Sequence, residues 1–140
     1  MPKTIAIDFG LKRCGIAITD ELQMIASPLE TVESTALEDK LKLLVEKEQI
    51  DAIVIGLPLS LDGRDTHITE NVRLLSVRLN LLYSNIEVIL FDERFTSSMA
   101  SAALVEFGVK KKDRQNKGVV DMTSAALILQ GYLRNKQSNL

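Results

Sequence analysis

The chain has 140 residues, of which 46% are hydrophobic and 26% charged, with a formal net charge of −2 at pH 7. That size and balance suit one globular domain, expected over 1–140, long enough to bury a core without staples. No apolar run approaches the ~20 residues that span a bilayer, a single cysteine leaves no internal disulfide or multi-thiolate zinc site, and the negative charge argues against an indiscriminate polyanion binder.

With no Trp and few other aromatics, the core is expected to be aliphatic. The N-terminus has no charged segment leading into an apolar stretch, so a reducing cytoplasm is the expected location. Residues 4–7 and 15–19 are short, β-branched apolar runs on either side of a glycine-bounded turn, which reads as a β-hairpin. Asp8 stands where the first run ends. A carboxylate there is costly unless water, a cation or a donor meets it, although an Asp can also simply cap a turn.

Residues 24–32 follow as a third strand, placed at an edge or a bulge by Pro28. Thr35 and Glu38 have capping-box spacing ahead of the apolar steps Leu37, Leu41, Leu44 and Val45, which predict a helix of about three turns. Residues 50–57 form a near-continuous apolar run, the pattern of a strand buried on both faces in a parallel sheet. Gly56-Leu57-Pro58 ends it, and Asp62-Gly63 marks a turn in the next loop. Ile68, Val72, Leu75, Leu79 and Leu82 stripe a long amphipathic helix, with Arg64, Arg73 and Arg78 off the stripe and His67 as a polar cap at its start.

Residues 86–91 are the next buried strand, and Asp92-Glu93-Arg94 comes directly after it. Thr96, Ser97 and Ser98 offer N-caps to a helix reaching Phe107 and stopped by Gly108. A basic loop over about 109–118 then carries Lys110, Lys111, Lys112, Arg114 and Lys117. The last helix is expected over 119–133, with Asp121 in its first turn and a frayed tail over 135–140. The order β-β-β-α-β-α-β-α-α predicts an α/β domain. Its mixed sheet has three antiparallel strands, then parallel strands with helices on both faces.

In such a sheet the carboxyl ends of the first and last strands open on one edge, where ligands of open α/β sheets bind. Asp8, Asp92 or Glu93, and Asp121 on a helix packed nearby are therefore candidates for one cavity. Several carboxylates converging without Cys or His call for hard cations, Mg²⁺ or Mn²⁺. Such ions can drive phosphodiester cleavage by activating water and stabilising the leaving oxygen. Strand alternation keeps Asp92 and Glu93 from pointing the same way, without deciding which faces the cavity. Lys12 and Arg13, in the turn beside Asp8, and the basic loop are candidates to meet a nucleic-acid backbone, giving affinity without sequence preference. Plainer readings stand beside these. An Asp in a first helical turn is favoured by the macrodipole alone, and Asp92-Glu93-Arg94 can be a surface ion pair. Cys14 reads as a packing residue rather than a nucleophile, and Tyr83 and Tyr132 are too few for a stacking platform.

The segments Asp8-Phe9-Gly10-Leu11-Lys12-Arg13-Cys14-Gly15, Gly56-Leu57-Pro58 with Asp62-Gly63, Asp92-Glu93-Arg94-Phe95-Thr96-Ser97, and Asp121 with Ser124-Ala125-Ala126 resemble, in order, the signatures of the YqgF family. These are Holliday-junction-resolvase-like proteins also described as pre-16S rRNA nucleases, and the motifs extend from Asp8 to Leu129. The resemblance implies an RNase H-like fold with a five-stranded mixed sheet and a divalent-metal nuclease site on Asp8, Asp92, Glu93 and Asp121. It implies Arg94 and the basic residues as nucleic-acid contacts. The implied substrate is structured RNA, such as the 5′ end of pre-16S rRNA, or branched DNA, with the protein acting as a monomer or homodimer. Cys14, Leu61 and Phe95 replace the family's usual Ile, Met and Leu, all apolar exchanges. The strand ending at Gly56-Leu57-Pro58 lacks the acid many RNase H-like nucleases carry there, so Asp92 or Glu93 must serve. Two other readings are a nucleic-acid-binding module of the same fold that does not cut, and the phosphate loop of an actin-like kinase, for which 140 residues leave no second lobe.

Overall fold

The computed structural model describes residues 2–60, 62–92 and 116–138. Leu61, Glu93, Arg94, Lys110, Lys111, Lys112, Arg114 and the helix expected over 96–107 lie outside the described residues. The elements are β1 (Lys3–Asp8), β2 (Arg13–Thr19), β3 (Ala26–Glu33), a 3₁₀ turn at Ser34–Ala36, α1 (Leu37–Lys47), β4 (Ile50–Leu57), α2 (Thr69–Leu82), β5 (Glu87–Asp92) and, numbered among the described elements, α3 (Lys117–Ser138).

The five strands form one sheet in the order β3-β2-β1-β4-β5. β1 pairs antiparallel with β2, and β2 with β3, while β1–β4 and β4–β5 are parallel. Pro28 lies on edge strand β3 opposite Ala17, where the β2–β3 register shifts. Its missing N–H costs the ladder little at such a place.

Each face of the sheet has its own core. Ile5, Ile7, Cys14, Ile16, Ile53 and Ile55 pack under α1 and α2, against Leu37, Leu41, Leu44, Val72, Leu75 and Leu79. Ala6, Ala17, Ala26 and Val54 pack on the other side, against Ala125, Ala126, Ile128, Leu129 and Leu133 of α3. The even positions of β1 therefore face α3 and the odd ones face α1 and α2, as the pleat requires. Small residues on the α3 side bring that helix close to the sheet, mainly over β2 and β3.

Four local expectations need correction. The capping box at Thr35 and Glu38 does not form. Ala36 holds the N-cap position of α1 without a side-chain bond, and Glu38 pairs with Arg78 across to α2. His67 is exposed and makes no cap for α2; that end is fixed by Thr69 Oγ1, which accepts from Thr66 N at 2.8 Å. The final helix starts before 119 because Asn116 caps it, with Oδ1 accepting from Gly118 N at 2.8 Å and Val119 N at 3.4 Å. Lys117 and Gly118 thus belong to the helix rather than the basic loop. Finally, residues 135–138 continue α3 instead of fraying. Leu133 is buried and Lys136 Nζ lies 6.0 Å from the centre of the Tyr132 ring. A cation in the last turn also suits the helix dipole.

Candidate functional site

The site begins at the turn between β1 and β2. A Cβ on Gly10 would sit 2.4 Å from the Arg13 carbonyl oxygen, so the turn closes only with glycine there. Ser34 N donates to the Lys12 carbonyl at 2.9 Å and Ser34 Oγ to the Leu11 carbonyl at 2.6 Å. These bonds tie the turn to the end of β3 and leave the Lys12 side chain exposed.

Asp8 is the last residue of β1 and pairs with Gly15 of β2. Alternation from buried Ala6 puts Asp8 on the α3 face. Gly15 faces the same way, and α3 crosses it so closely that a Cβ there would lie 2.0 Å from the Asp121 carbonyl oxygen and 2.7 Å from Met122 N. The absent side chain at residue 15 is what lets Asp121 come down onto the strand residue that pairs with Asp8. Thr31 Oγ1, donating to the Gly118 carbonyl, holds the start of the helix against β3.

Asp121 lies past the first turn of α3, which contains no acid. The macrodipole therefore does not account for an acid at this place, since its effect is confined to the first turn. The side chain instead accepts a hydrogen bond from Arg13, Nε to Oδ2 at 2.9 Å, with the two side chains 39% and 25% exposed. Arg13 opens β2 and shares the α3 face with Gly15.

Cys14 points to the opposite core and is fully buried. Burial pushes its thiol up to about 11, and the negative charges of Asp8 and Asp121 push the same way. A thiol at that value is not a nucleophile near neutrality.

Asp92 ends β5 beside Leu57 of β4. It shares the carboxyl edge with Asp8, two strand spacings or about 10 Å away along the sheet. Ile89 and Phe91 pack on the α3 side and Val88 on the other, so alternation assigns Asp92 to the face of α1 and α2. Between Asp8 and β5, Gly56 presents no side chain on the α3 face. The structure thus pairs Arg13 with Asp121, sets both on the α3 face of the sheet with Asp8, and sets Asp92 on the same edge but the other face. Lys117 is exposed at the start of α3.

Among the described residues no group of three or more His, Cys, Asp or Glu converges in the manner of a complete metal site. Asp8 and Asp121 nevertheless make an oxygen-only donor pair without thiolate or imidazole, chemistry that fits a hard divalent ion. A cavity of about 400 Å³ opens elsewhere, between α1 and α2, lined by Phe9, Thr35, Glu38, Asn71, Leu75 and Arg78 among others. It lies across the sheet from the Asp8–Asp121 pair. A polymeric substrate meets an open edge and needs no such enclosure.

The sequence model of the family described as "RuvX: Holliday junction resolvase" matches residues 2–135. A Flavobacterium johnsoniae protein named "Putative pre-16S rRNA nuclease" is 41% identical over 137 residues, covering 98% of this chain and 99% of that one. The chain belongs to the RuvX family. A Parabacteroides distasonis relative of the same printed name is 42% identical over 140 residues, all of both chains.

Two solved structures show the RuvX chain's fold to be RNase H-like. Thermus thermophilus RuvC in complex with Holliday junction substrate superposes with a TM-score of 0.61 at 14% identity, covering 98% of this chain and 96% of that one. Fowlpox virus resolvase in complex with its substrate Holliday junction DNA gives 0.60 at 12% identity, covering 96% and 98%.

Three residues that shape the site carried weaker sequence signals. Gly15 opens an apolar run, and an isolated glycine in a strand marks a close backbone approach. Asn116 precedes a helical stretch, as an Asx N-cap does. Thr31 gave no sign of its bond to α3.

Proposed function

We propose that this RuvX-family chain is a divalent-metal-dependent nuclease that hydrolyses phosphodiester bonds in structured nucleic acid, with the 5′ end of pre-16S rRNA as its substrate. The observation that carries the reading is the meeting of Asp8 and Asp121 across Gly15 at the carboxyl edge of an RNase H-like sheet. The relatives named for pre-16S rRNA support the choice of substrate.

Asp8 and Asp121 would hold the ion, Mg²⁺ or Mn²⁺, and a third carboxylate would come from the end of β5. Asp92 belongs to the opposite face, which favours Glu93 for that place. When bound, the ion supplies Lewis-acid stabilisation of phosphoryl oxygens and acidifies water. The chain's own residues do the positioning. Arg13 sets the direction of the Asp121 carboxylate, and exposed Lys12 and Lys117 flank the edge where a phosphate backbone would run. With Lys110, Lys111, Lys112, Arg114 and Arg94 they would supply sequence-independent affinity that weakens with salt.

Branched DNA is the second reading, favoured by the description of the family and by the junction complexes of the two structural neighbours. It implies a homodimer, since two strands must be cut. One assay separates the readings: cleavage of end-labelled rRNA precursor, single strands and four-way junctions in Mg²⁺ or Mn²⁺. Wild type, Asp8→Asn and Asp121→Asn would be run in parallel. Precursor cutting that both substitutions abolish, with binding retained, supports the nuclease; junction cutting selects the second reading. Binding without cutting, or equal cutting by the Asn variants, leaves a non-catalytic binding module.

A further inference from the structure

We infer that Arg13 is a positioning residue that couples metal binding to nucleic-acid binding, holding Asp121 until a phosphate takes its place. The inference rests on the metal-site reading above and deepens it. Arg13 Nε donates to Asp121 Oδ2 at 2.9 Å, so one oxygen of a candidate metal ligand is engaged by a fixed positive charge. Both side chains are partly exposed, at 39% and 25%, so the pair is within reach of solvent and of an arriving ligand.

Two consequences follow from elementary electrostatics. A guanidinium on Asp121 offsets the repulsion between the two neighbouring carboxylates, and it opposes entry of a cation to the same oxygens. A phosphate, which a guanidinium can grip through two parallel N–H bonds, competes for the same donors. Once Arg13 turns to the phosphate, Asp121 is released with its full charge toward the ion. The two ligands then bind with positive coupling, and by linkage each must tighten the other by the same factor. In the free protein Arg13 lowers ion affinity, and with substrate present it contributes to phosphate binding. Arg13 is placed for this by the strand that carries Gly15: alternate positions on β2 put both residues under α3.

The test measures Mn²⁺ binding to the intact protein by calorimetry, with and without a phosphorothioate-substituted RNA hairpin. It compares wild type with Arg13→Ala, Arg13→Gln, Arg13→Lys and Asp8→Asn, with circular dichroism to confirm folding. Without RNA, Arg13→Ala and Arg13→Gln are expected to bind Mn²⁺ about fivefold tighter than wild type, a size suited to removing one partly exposed charge next to a divalent site. Arg13→Lys retains the charge and is expected to stay near wild type. The hairpin should tighten Mn²⁺ binding by wild type and leave the Ala and Gln variants nearly unchanged. Equal or weaker Mn²⁺ binding by both of those variants, or equal tightening by RNA in all proteins, overturns the coupling role. If wild type and Asp8→Asn bind Mn²⁺ alike, the metal site itself is refuted, and the coupling with it.

Discussion

Replacing Gly15 with alanine adds one methyl group at the place where α3 crosses β2. It would sit 2.0 Å from the Asp121 carbonyl oxygen and 2.3 Å from its carbonyl carbon, against the 3.4 Å at which ordinary contact begins. Strand and helix must therefore separate by about 1.4 Å, and neither is a flexible side chain that can turn aside. Overpacking of a formed core costs about 1–3 kcal/mol, and a backbone-on-backbone clash belongs at about 3 kcal/mol. For a chain of this length, with about 0.3 kcal/mol per degree of unfolding entropy, the melting temperature falls by about 10 °C. The displaced helix also carries Asp121 from Asp8, so Mn²⁺ binding by the folded protein weakens at least tenfold. Gly131→Ala is the control. Its Cβ would be 3.2 Å from Phe91 Cε1, a side-chain atom that must give by only a few tenths of an ångström, and helix propensity returns up to about 1 kcal/mol, so stability falls by far less than in Gly15→Ala. Calorimetric melting and Mn²⁺ titration of the three proteins decide the matter. A Gly15→Ala protein melting within about 2 °C of wild type, with unchanged Mn²⁺ affinity, would refute the reasoning.

Other expectations follow from single contacts. Asn116→Ala removes the cap of α3 and is expected to cost about 1 kcal/mol in urea unfolding, while Asn116→Asp retains the acceptor and most of the stability. Burial pushes the Cys14 thiol up from its ordinary value to about 11, so the folded state holds the thiol proton more tightly. Stability from this group is intact below pH 9 and falls as pH rises toward 11. Urea unfolding across that window checks it, and Cys14→Ala should remove that component of the slope. The same burial predicts that the native thiol resists alkylation at pH 8 until the protein unfolds. Asp92→Asn changes a carboxylate on the face away from α3, so Mn²⁺ affinity should stay within about twofold of wild type, and a tenfold loss would place Asp92 in the metal site.

Much of this architecture was legible because burial on two sides leaves a strong pattern. The run at Ile50–Leu57 is a strand buried on both faces, and it is the central parallel strand β4. The stripe Val72, Leu75, Leu79 is the buried face of α2, while Leu82, its last residue, is 50% exposed. Pro28 marked an edge and lies on one. The helix ends were harder to read, because caps rest on single side chains with competing partners. Thr35 and Glu38 have the right spacing, yet Glu38 meets Arg78 from another helix, a contact no local pattern reveals. Asn116 begins α3 earlier than its apolar spacing suggested, and this moved Asp121 out of the first turn.

The site was legible in part. Asp8 and Asp121 stand out in the sequence by their places near element ends, and the fold sets both on the α3 face of the sheet. Their meeting depends on Gly15, whose role is the absence of a side chain and so leaves only a faint trace in sequence. Arg13 was readable as a phosphate contact; its bond to Asp121 is tertiary, between residues far apart in the chain. The alternation of β5 assigns Asp92 a face only once the two cores are known.

The central claim is that Asp8 and Asp121 share one divalent ion. Crystals grown in Mn²⁺ and measured at a wavelength where manganese scatters anomalously test it most directly. The account predicts an anomalous peak in contact with carboxylate oxygens of both residues. A peak touching neither carboxylate would contradict it.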